Sequence, residues 1–72
     1  MNLRQYDSVK LTVDRPDLGL VRGAGGVIVE VYTRPHLGYQ VEFLTDNGRT
    51  LGVWIVKPEE VALDPQRRSR ST

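Results

Sequence analysis

Gly26-Val27-Ile28-Val29-Glu30-Val31-Tyr32 is the stretch on which the fold turns. It is β-branched nearly throughout, and glycine and proline bound it closely on both sides, which is the signature of a strand. Alternation places Val27, Val29 and Val31 on one face. Downstream, Thr33-Arg34-Pro35-His36-Leu37-Gly38 reads as a connection and Tyr39-Gln40-Val41-Glu42-Phe43-Leu44 as the next strand. There Tyr39, Val41 and Phe43 share one side, and Gln40 and Glu42 the other. Asp46-Asn47-Gly48 follows, and Asn47-Gly48 predicts a type I′ hairpin because both residues tolerate the positive φ it requires.

The fourth strand spans 49–56. It presents Leu51, Val53 and Ile55 on one face and Thr50, Gly52, Trp54 and Val56 on the other, so both faces are largely apolar. Lys57-Pro58-Glu59-Glu60 fits a single 3-10 turn before a brief closing strand, Val61-Ala62-Leu63. Upstream, Ser8-Val9-Lys10-Leu11-Thr12-Val13 alternates with Val9, Leu11 and Val13 inward. Asp14 to Gly19 is a loop from which Leu18 and Leu20 tuck back onto the core. No window of a dozen residues carries apolar spacing at three and four, so helices are not expected.

Five short antiparallel strands, a long first loop and a one-turn helix before the last strand outline a small all-β SH3-like barrel. It occupies residues 7–63, with an N-terminal arm at 1–6 and a disordered basic tail at 64–72. Closure removes the sheet edges that would template aggregation. An open meander is the structural alternative.

A chain of 72 residues buries only about 60% of its unfolded surface, so extra support is expected. The absence of cysteine excludes disulfides and thiolate metal sites, and a single histidine, His36, excludes a multi-histidine site within one chain. Oligomerisation remains as the available support. Cysteine-free composition, an N-terminus without an apolar run and no long apolar stretch point to a soluble, cytoplasmic protein with no membrane partner. The net charge of +1 conceals an asymmetry: Arg67, Arg68 and Arg70 sit in the last nine residues, opposed there only by Asp64. The rest, with seven basic and eight acidic residues, is near −1. That is not the basic platform of a strong nucleic-acid binder.

Leu11-Thr12-Val13-Asp14, Gly19-Leu20-Val21-Arg22-Gly23, the valine-rich strand and Tyr39-Gln40-Val41-Glu42-Phe43 together resemble a family of small bacterial proteins catalogued as domain of unknown function 4926. The resemblance runs from about Asp7 to Leu63. It implies an SH3-like barrel and supplies no activity, cofactor or catalytic residue. Arg22, Gly23, Gly26 and the following strand are also similar to a turn in the barrel of the nitrile hydratase β subunit, an accessory barrel in an enzyme complex. Gly23, Gly26 and the valines resemble the KOW motif of transcription and ribosomal proteins.

Trp54 and Val56, joined by Ile28 and Leu44, are the candidate interface if Leu51, Val53 and Ile55 face the interior, since exposed apolar patches mark interaction sites and tryptophan dominates their energetics. A one-residue change of register would instead bury Trp54. Arg22, Arg49, Arg67, Arg68 and Arg70 are the candidates for a KOW-like nucleic-acid contact. Arg22-Gly23-Ala24-Gly25-Gly26 could cradle an anion, but phosphate loops open helices rather than strands; Gly23 and Gly26 are read as building a barrel corner, and Asn47 and Gly48 a turn. Tyr6, Tyr32 and Tyr39 could stack on bases, yet no basic cluster accompanies them. One histidine, no cysteine and carboxylates such as Asp14 and Asp17 flanking a proline loop assemble no catalytic set. Asp46, Glu59 and Glu60 read as turn and surface residues. The expectation is therefore a non-enzymatic protein-interaction module, needing no cofactor and no metal, that pairs with itself or another protein.

Overall fold

A computed structural model describes residues 3–65. Its five antiparallel strands are β1 (Ser8–Leu11), β2 (Gly25–Tyr32), β3 (Gly38–Leu44), β4 (Thr50–Val56) and β5 (Val61–Leu63). They form one sheet in the order β4-β3-β2-β1-β5. The 3-10 turn Pro58–Glu60 carries the chain from β4 back to the far side of β1, where Ala62 stands opposite Lys10. This return makes the sheet an SH3-like barrel rather than a meander. The barrel is not a hydrogen-bonded ring, however. Among the described residues β4 pairs only with β3 and β5 only with β1, so the expected removal of edges fails at both ends.

Val9 and Leu11 from β1, Ile28 from β2, Tyr39, Val41 and Phe43 from β3, Val56 from β4 and Val61 from β5 fill the interior. Leu20 closes it from the long first loop, and Leu18 packs against it. A 3-10 turn at Pro16–Leu18, capped by Gly19 in the left-handed region, folds that loop back so that Arg15 bridges Leu20. The Asp14 carboxylate accepts a hydrogen bond from the Arg22 N–H at 2.8 Å and closes the loop's base.

β1 is shorter than its alternating pattern. The Thr12 N–H donates to the Glu60 carbonyl at 2.8 Å and the Thr12 hydroxyl to the Glu59 carbonyl at 3.0 Å. The chain is thereby drawn toward the 3-10 turn, and Val13 is left exposed. β2 departs from strict alternation in a different way. A bulge between Ile28 and Glu30 inserts Val29 as an extra residue, and a bulge reverses which face later residues present. Ile28 is buried, Val27 lies opposite the outward Glu42, and Val31 packs against the core. The expected shared face of Val27, Val29 and Val31 does not exist.

The glycine turn builds the corner at the start of β2. Gly23 has φ +94°, and a Cβ on Gly26 would stand 2.6 Å from the Glu42 carbonyl oxygen. At the β3–β4 turn Gly48 has positive φ but Asn47 does not, so the connection is not the expected type I′ turn. The Gly48 N–H donates to the Thr45 carbonyl, the Thr45 N–H donates to the Arg49 carbonyl, and the Thr45 hydroxyl donates to the Asn47 side-chain oxygen. This is a longer loop with one left-handed residue, for which Asn-Gly is equally suited.

The N-terminal arm adds to the sheet. The Tyr6 N–H donates to the Ile28 carbonyl, the Ile28 N–H to the Asp7 carbonyl, and the Gln5 amide to the Val29 carbonyl, while Leu3 packs on the core. The expected disordered tail, with Arg67, Arg68 and Arg70, falls outside the described residues except for its first two positions. No described helix is long and apolar enough to cross a membrane.

Candidate interaction face on the edge strand

β4 turns its faces the opposite way from the interface expectation. Val56 and Ile28 are 2% and 0% exposed and belong to the core. Trp54 packs against that core, its ring 6.1 Å from Phe43 at an interplanar angle of 39°. Its indole lies over Gly52, where a Cβ would run into the ring. Ile28, Trp54 and Val56 are therefore not an outer patch. The alternative register, with Trp54 inward, is the one adopted.

Leu51, Val53 and Ile55 face solvent instead, at 51%, 45% and 59% exposed. The reason is cross-strand pairing. Residues opposite each other in an antiparallel pair share a face. Val53 stands opposite Glu42 and Ile55 opposite Gln40, both polar, while Trp54 stands opposite Val41. A second bulge, where Phe43 pairs with Gly52 but Leu44 with Thr50, also turns Thr50 outward, and its hydroxyl donates to the Glu42 carboxylate. The useful signal in the chain was Gly52, two residues before Trp54 on the same face, which leaves room for an indole to lie down along the strand.

The free side of β4 has a definite polarity. Ile28 directs its N–H and C=O toward the N-terminal arm. In an antiparallel sheet these directions alternate residue by residue. Val41, opposite Ile28, must then address β4, and Trp54, opposite Val41, must address β3. The peptide groups of Val53 and Ile55 consequently point to the free edge. Two of the three residues with exposed aliphatic side chains, Val53 and Ile55, thus also have outward backbone hydrogen-bonding groups, while Leu51 is the extra residue of the bulge.

A pocket of about 390 Å³ adjoins the Ile55 end of this face. Gly38 is part of its lining, and a Cβ there would meet the Ile55 methyl at 3.6 Å and the Val56 carbonyl oxygen at 3.7 Å. Tyr32, Pro35, Leu37 and Ile55 make apolar walls, and Arg34 and Lys57 bring positive charge to the lining. Tyr32 and Leu37 are exposed, so the apolar surface runs on from β4 into the pocket. The Tyr32 hydroxyl donates to the Gln40 side-chain oxygen at 3.4 Å.

The remaining candidates do not converge. Arg22 and Arg49 lie in loops at one end of the sheet, each beside an acid, with Asp14 bonded to the Arg22 backbone and Asp46 in the same turn as Arg49. His36 lines the pocket. Asp17 is held by a two-pronged contact with Arg15, whose hydrogen bonds lower its carboxyl below the ordinary range. Among the described residues no group of three or more His, Asp or Glu is placed to hold a metal.

These features define a small SH3-like barrel with one exposed, aliphatic sheet edge. The chain belongs to the family described as Domain of unknown function (DUF4926), whose model matches residues 5–63. No curated protein and no solved structure is found to match it.

Proposed function

We propose that this chain is a non-catalytic protein-interaction module of the bacterial cytoplasm, and that it engages its partner through the outer face of β4. The observation that carries the reading is the run of three exposed aliphatic side chains on a seven-residue edge strand, two of which, Val53 and Ile55, also have outward peptide groups. Native proteins usually shield such edges with charge, proline or a covering segment. Leu51, Val53 and Ile55 do the reverse, which is what strand-addition binding uses. The nucleic-acid alternative draws less support, because Arg22 and Arg49 lie on separate loops, each with an aspartate in the same loop, and the face around β4 carries Glu30 and Glu42.

Photo-cross-linking in the native host tests this. A benzoylphenylalanine at Ile55 should yield a discrete protein adduct. The same probe at Val21, 67% exposed on a different surface, should not. No adduct at Ile55, or the same adducts at both positions, overturns the reading.

A further inference from the structure

We infer that the occupant of the β4 edge is a second copy of this chain, paired antiparallel about a two-fold axis at Val53, so that the two sheets join into one of ten strands. This rests on the interaction-module reading and names its partner.

The order of side chains on the edge is self-complementary. A two-fold axis at Val53 sets Val53 opposite Val53 of the second copy and Leu51 opposite its Ile55, so the three exposed aliphatic side chains meet only one another. Moving the axis by one residue would set Leu51 opposite Val53 but leave Ile55 against Arg49. The backbone agrees with the first choice. Val53 has its N–H and C=O aimed outward, and a residue on the axis must exchange both bonds with its counterpart. An isologous contact also uses up both β4 edges after two copies, and the joined sheet then ends on the short three-residue β5 at each side.

The same register also engages the pocket. Leu51 of one copy lies across from Ile55 of the other, and Ile55 lines the pocket. Each copy thus offers an exposed leucine to the other's hollow, twice over by symmetry. Charges at the strand ends are balanced. This register sets Arg49 of one copy opposite Lys57 of the other, a like-charge pair at each end, and Asp46 and Glu59, close to them in the chain, bring the compensating negative charges, all four being exposed. With a net charge of only +1 per chain, long-range repulsion between copies is small.

The test uses the full chain, which has no cysteine of its own. Sedimentation velocity should show a dimer, and Val53→Lys should weaken it by roughly 100-fold, with two lysines apposed where two valines were buried. Its far-ultraviolet circular dichroism and melting should remain native. Val53→Cys should oxidise to a disulfide-linked dimer, because directly opposed Cα atoms lie about 5.5 Å apart, within disulfide reach. Leu51→Cys alone should not link, yet should link when mixed with Ile55→Cys. A native monomer, an assembly larger than a dimer, or Leu51→Cys linking to itself as well as Val53→Cys does would overturn the proposal. If one of these occurs while the Ile55 photo-adduct with another protein persists, the interaction-module reading stands and only self-pairing falls.

Discussion

Arg15 reaches from the first long loop to Glu60 in the last 3-10 turn, Nη1 to Oε1 at 3.1 Å. The same Glu60 oxygen accepts the Lys57 N–H at 2.9 Å, so one carboxylate both caps the turn and anchors the loop. Both side chains of the ion pair are mostly shielded, whereas Asp17, Arg15's other partner, is 62% exposed. Shielded charge-assisted bonds contribute more than exposed ones. Glu60→Gln should therefore cost about 1 kcal/mol in urea unfolding, and Asp17→Asn distinctly less, since its contact with Arg15 is open to solvent. Equal costs would show that the reach to Glu60 has no special weight.

Asp17 should nevertheless announce its partner through pH. The Arg15 hydrogen bonds lower its carboxyl in the folded state. A depressed folded value means that whatever the pair contributes is present above the unfolded value of about 3.9 and is lost as pH falls through the folded one. Carboxyl chemical shifts should give Asp17 a midpoint below about 3.9 in the native chain and an ordinary one in Arg15→Gln. A native midpoint at or above the ordinary value would contradict the geometry.

Gly26 and Gly52 tolerate substitution differently. A Cβ at Gly26 meets the Glu42 carbonyl at 2.6 Å and the Val41 side chain at 2.7 Å, both fixed parts of the adjacent strand. At Gly52 the obstacle is the Trp54 ring, which can be pushed outward. Gly26→Ala should cost about 3 kcal/mol and Gly52→Ala about 1–2 kcal/mol. Thermal melts should also show Gly52→Ala adding little on top of Trp54→Ala, since the clash is then gone.

The strands were legible because each carries a short alternating run between turn residues, and β3 could be oriented outright from Gln40 and Glu42. β4 could not be oriented by itself, with apolar residues on both faces. Its orientation was contained in the hairpin: Phe43 opposite Gly52 forces Val53 onto the side of Glu42. The bulge at Val29 left no comparable trace, since any residue of a Val-Ile-Val run can be the extra one. Val13 was lost to a bond between Thr12 and Glu60, forty-eight positions apart in the chain, which no local pattern encodes. The exposed apolar side of β4 is thus the opposite of the one expected.

Trp54 is the sole tryptophan of the chain, and it lies on the inner side of the strand whose outer side is free. Its emission can therefore serve as a built-in optical gauge of that strand. Any ligand settling on the edge would be registered from behind, without a dye, without competing chromophores of its kind, and without the reporter standing in the contact it reports.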